Sequence, residues 1–121
     1  MYLSRKIALA TVGAMLVTPL AAWAASIPKT TPIYPNRIPK SYSGDGYDGG
    51  YAYSLETNDS PEMVDAWYKA HTTGFTGEHV KSEIADSYHY EKHADGGEYS
   101  LQIQKQTGEP TGVTFSFTKG A

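Results

Sequence analysis

The run His89-Tyr90-Glu91-Lys92-His93 holds the residues best suited to chemistry. On a strand, His89, Glu91 and His93 share one face. Alternation against Tyr88 and Tyr90 turns that face to water. Same-face neighbours lie about 6.6 Å apart at Cα. His89 with Glu91, or Glu91 with His93, could pinch a metal with ligands at about 2.0–2.2 Å. His89 and His93, roughly 13 Å apart, could share one ion only across a bulge. The adjacent strands offer Ser100, Gln102, Thr114 and Ser116, which are poor zinc ligands. The competing reading is a solvated polar strand face. No cofactor is implied by any motif.

Tyrosine is the compositional oddity, with ten in the chain. Tyr42, Tyr47 and Tyr51 punctuate a Gly/Ser/Asp-rich stretch. Exposed tyrosine gives rigid, amphipathic contact area at low entropy cost. These three are the candidate binding residues, for a sugar or a protein partner. Asp45 and Asp48 sit among glycines, but no acid stands at the distal position a calcium loop needs. Gly-x-Ser-x-Gly is absent, and there is no cysteine. His71 suits a helix C-terminus, and His79 beside Glu78 reads as a surface loop pair. Nothing in the chain makes a nucleophile arrangement, so the reading is of a domain that binds rather than catalyses.

These residues need elements to hold them. Residues 51–57 alternate and read as a half-buried strand. Ser60-Pro61-Glu62 starts a helix by cap, first-turn proline and dipole-matched acid. Met63, Trp67 and Ala70 form its apolar stripe, with Val64 and Tyr68 beside it. The helix ends near His71. Residues 75–86 fit a helical turn, a strand or a loop equally. Residues 87–93, 98–105 and 112–118 read as three strands, joined by turns at 94–97 and 107–110.

One helix covers one face of such a sheet. The expected fold is α+β, a two-layer sandwich of one main helix on a mainly antiparallel four-stranded sheet (β-α-β-β-β). The covered face carries Leu55, Leu101, Ile103, Val113, Phe115 and Phe117, with Trp67 as the central plug.

Residues 1–24 read as a secretory signal peptide. Arg5 and Lys6 precede an apolar run, and Ala22-Trp23-Ala24 is a small-x-small cleavage site. Cleavage there leaves 97 of the 121 residues, with no stable membrane anchor. It also removes Arg5 and Lys6, leaving eight basic residues against 13 acidic ones. No basic cluster survives to hold a phosphate backbone, so nucleic acid is excluded as an expected partner. Residues 25–50 read as an extended Pro-rich arm followed by a mobile Gly/Tyr-rich loop. Residues 51–121 read as the α+β domain.

The run 51–68, preceded by Ile33-Tyr34-Pro35, resembles small exported bacterial proteins of unknown function. These share a Tyr-Pro arm, a strand, a DSPE-like helix start and three further strands. The chain departs from them in lacking a lipid-anchor cysteine. The resemblance implies a fold and a periplasmic or secreted location, and it carries no catalytic residue. The functional expectation is an exported, non-catalytic domain that binds a protein or cell-envelope component. A periplasmic small-molecule or metal-binding protein, and an envelope-directed hydrolase, are the alternatives.

Overall fold

The computed structural model describes residues 27–120. The signal peptide read over residues 1–24 lies outside the described residues. The elements are β1 (Ser43–Tyr47), β2 (Gly50–Thr57), α1 (Pro61–His71), β3 (Thr76–Lys81), β4 (Ala85–Ala94), β5 (Gly97–Gln106) and β6 (Thr111–Lys119). The strands form one sheet in the order β1-β2-β6-β5-β4-β3. Each neighbouring pair is antiparallel. The chain makes the β1–β2 hairpin, crosses the sheet through α1 to the far edge, and returns as a four-strand meander that closes on β2.

The expected four-stranded sheet under a main helix is therefore corrected. The sheet has six strands, and the helix is short, at 11 residues. Both added strands are edges. The segment read as a mobile loop, 41–50, contains β1. Asp48-Gly49 turns the chain with Gly49 at φ +93°, so that Tyr47 lies opposite Gly50. β3 is exposed along its whole length. No face of it is buried, so its sequence carries no alternation to read.

The α1 start follows its sequence signals. The Ser60 side chain accepts from the Met63 N–H at 3.2 Å, and Pro61 opens the first turn. The buried stripe is Pro61, Val64, Asp65 and Tyr68, one residue away from the expected Met63-Trp67-Ala70 line. Met63 is 58% exposed, and Trp67 is half-buried at the rim instead of the central plug. Both lines have helical spacing. Tyr68 takes the interior because its hydroxyl finds partners there, which a buried phenol requires.

Those partners belong to the Pro-rich arm. The Tyr34 backbone N–H donates to Tyr68 Oη at 3.3 Å. The Tyr53 hydroxyl lies 2.5 Å from Tyr68 Oη and donates to the Pro32 carbonyl at 2.5 Å. A carbonyl only accepts, so the chain runs one way: Tyr34 N–H to Tyr68 to Tyr53 to Pro32. Two core side chains thus carry a relay that begins and ends on arm backbone. The Tyr34 hydroxyl adds a 2.5 Å bond to Asp59 Oδ2, and Asn36 Nδ2 donates to the same oxygen at 2.8 Å. The Tyr-Pro and the Asp-Ser-Pro of the sequence pattern are therefore one latch between arm and helix start.

The two hydrogen bonds to Asp59 hold its carboxyl below its ordinary value of 3.8. A depressed carboxyl stabilises the fold above the unfolded-state pKa and loses that contribution as pH falls through the folded one. Thermal melts from neutral to acid pH should show stability falling below about pH 4. In Asp59→Asn that acid-side fall should be shallower. Superimposable acid limbs for the two proteins would contradict the latch.

Candidate functional site

The sheet register stacks the core-facing residues into three rows. Leu55, Val113, Ile103 and Tyr88 make the first, and Tyr53, Phe115, Leu101 and Tyr90 the second. Tyr51, Phe117, Tyr99 and Lys92 make the third. α1 packs over β4 and β5 and ends at His71. The first two rows lie beneath the helix and arm and are buried except for Tyr90. The third row lies at the end of the helix and stays half-buried in all four members. The result is an aromatic shelf beside the core.

The rings on the shelf are packed against one another. Tyr99 and Phe117 have centroids 4.7 Å apart, and Tyr51 lies over Phe117 at 5.7 Å. Phe75, from the loop after α1, meets both Tyr99 and Phe115 at 6.2 Å. Lys92 Nζ stands 5.6 Å from the Tyr99 ring centre and 5.7 Å from that of Phe75. A cation over ring faces is held by the ring quadrupole. Between shelf, arm and helix end is an open cleft of about 220 Å³, bordered by Thr31, Tyr51, His71, Phe75, Lys92 and Tyr99. A second cleft, of about 170 Å³, lies across the 72–75 loop beside Asp65, Lys69 and Tyr90.

Hydrogen bonds hold the walls. The Tyr99 hydroxyl donates to Asp95 at 2.6 Å, at the tip of the β4–β5 hairpin. That bond first, and burial second, push its phenol well above the usual range. Burial first, and the 2.6 Å bond to Asp65 second, do the same for Tyr90. Asp65 is paired in turn with Lys69 at 3.1 Å. His71 Nδ1 bonds the Trp67 carbonyl at 2.7 Å, and its ring stacks on Trp67 with centroids 4.0 Å apart. The shelf thus presents apolar ring surface, one ammonium and a border of hydroxyls. That is equipment for holding a ligand.

Of the three candidate tyrosines, the structure brings one to this site. Tyr51 is on the shelf. Tyr42 lies towards the arm, against Tyr53 at 5.7 Å and beneath the Arg37 guanidinium at 5.2 Å. Tyr47 is on the opposite face by register, where its hydroxyl donates to the Phe117 carbonyl at 3.3 Å. The three do not form one patch.

The metal candidates lie on that opposite face, in water as the alternation requires. His89 Nε2 and Glu91 Oε2 are 3.7 Å apart and about half exposed. His93 lies opposite Glu98, two same-face steps from His89. Among the described residues no three His, Cys, Asp or Glu side chains are placed to hold a metal ion. His79 is not in a loop. It lies on β3, stacked on Tyr88 at 3.9 Å with rings 3° from parallel, and it is bonded to the Asp86 carboxylate.

Phe75, Tyr99, Phe117 and Lys92 are not among the site residues expected from the sequence. For Lys92 the signal was present. The parity that turns His89, Glu91 and His93 outward turns Lys92 onto the core face. For the rings there was no signal, because a row left open by a helix end reads like any other core row.

Comparison with protein-family models, curated proteins and solved structures finds no match.

Proposed function

We propose that the chain is a non-catalytic binding domain exported from the cytoplasm, and that it holds a protein or cell-envelope component on the aromatic shelf. The observation that carries this is the third core row. Tyr51, Phe117 and Tyr99 continue the core beyond the end of α1, yet each remains partly in water. Contiguous apolar surface left open beside a cleft is a common mark of an interaction site. The reading of export rests on residues 1–24.

The test is retention of the mature chain on isolated envelope fractions. Tyr51→Ser and Tyr99→Ser should each weaken retention by about tenfold or more, the loss typical of an aromatic anchor. Gln102→Ala, on the opposite face, should bind like the parent. Circular dichroism melts establish that each variant is folded. Full retention by both folded shelf variants would overturn the proposal.

A further inference from the structure

We infer that the cleft over the shelf takes an acidic pyranose, a sugar ring bearing a carboxylate, with Lys92 as its charge partner. The inference rests on the binding role proposed above and names the ligand class of that site.

Three observations converge. First, the cleft carries an ammonium and no carboxylate in an acidic protein. The chain has 13 acidic and 10 basic residues, yet among the residues bordering the cleft Lys92 is the fixed charge and no carboxylate stands beside it. Second, Lys92 forms no ion pair among the described residues, although its ammonium is drawn in over Phe75 and Tyr99. An ammonium has three N–H donors, and ring faces satisfy its charge only in part. A ligand carboxylate would complete it as a charge-assisted hydrogen bond. Third, the Thr31 hydroxyl on the arm side of the cleft is buried with no hydrogen-bond partner among the described residues. A buried hydroxyl left unpaired is costly, and a turn about the Thr31 Cα–Cβ bond would bring it to a ligand hydroxyl.

The strand pairing disfavours an acidic peptide added to the sheet as a further strand, a mode that needs an unpaired strand edge. The shelf strands offer none: β2, β6, β5 and β4 are each paired on both sides. A pyranose needs no backbone partner. It lays a face of C–H bonds on the rings and directs its hydroxyls and carboxylate to the border, where Thr31 and Lys92 stand.

The experiment is calorimetric titration of the mature chain with trigalacturonic acid and with its methyl ester, which keeps the rings and removes the charge. The acid should bind at least tenfold more tightly than the ester. Lys92→Met, which retains the packing stem, should reduce the acid to the level of the ester. Lys92→Arg should retain the preference. Equal binding of acid and ester by the parent, or binding of neither, would overturn the inference. So would an acid preference that survives in folded Lys92→Met. Retention on envelope fractions that still depends on Tyr51 and Tyr99 would leave the binding role standing while the acidic sugar falls.

Discussion

Phe115→Ala should be the most damaging single substitution, costing about 3–5 kcal/mol. Phe115 is 2% exposed near the middle of β6, a strand paired on both sides. Its ring stacks on Tyr53 at 5.4 Å and 9°, and touches Phe75 and Tyr99 from the shelf. The fully paired sheet above and below limits collapse around the missing ring, so the cavity term adds to the lost burial. A domain of this size has roughly 5–14 kcal/mol in total. The loss should lower Tm by roughly 15–30 °C. Urea unfolding of the purified variant measures it. A loss under about 1 kcal/mol would mean that the core is not centred on this ring.

Alkaline pH should unfold the protein cooperatively. An unfolded tyrosine ionises at its ordinary value of 10.0. In the fold, burial pushes Tyr68 and Tyr34 up to about 12 and Tyr53 higher still. Tyr42, Tyr88, Tyr90 and Tyr99 are raised as well. Between pH 10 and 12 the unfolded chain sheds protons that the fold retains. Stability is therefore complete below pH 10 and falls as pH rises through the folded values. Tyr68 alone should contribute a loss of about 2 kcal/mol by pH 12. Most of the tyrosinate absorbance should rise together with the loss of ellipticity, in one transition above pH 10. Ionisation of all the tyrosines near pH 10 with the fold intact would contradict the buried relay. Tyr68→Phe breaks that relay in the middle and leaves the Tyr34 N–H without its acceptor. At neutral pH it should cost about 1–3 kcal/mol.

The central part of the fold was legible for a physical reason. Strands that bury one face must alternate, and β2, β5 and β6 do. Asp95-Gly96 sits between two such strands and makes the expected tight turn, with φ of +58° and +78°. The helix start was equally readable, because a cap, a proline and an acid each act locally. What was missed acts at a distance or at an edge. Asp48-Gly49 is as good a turn signal as Asp95-Gly96. Its flank Ser43–Tyr47 is glycine-rich and outside the core, so no alternation accompanied it. β3 is an edge with both faces in water. The buried helix line falls one residue from the expected one because Val64 and Tyr68 repeat as regularly as Met63 and Trp67. Only the arm, folding back with Tyr34 and Pro32, decides between them. Of the candidate site residues, Tyr51 reaches the shelf because it shares parity with Tyr53 and Leu55. The same parity puts His89 and Glu91 in water, and there they form a pair with no third ligand among the described residues.

The most direct test of the account is a chemical-shift map of the isotopically labelled mature chain, titrated with a solubilised envelope fraction that retains it. The account predicts that perturbed amides cluster at Tyr51, Phe75, Lys92, Tyr99 and Phe117, with Thr31 and His71 at the border. Perturbations centred on His89, Gln102 and Thr114 would place binding on the opposite face of the sheet and contradict it.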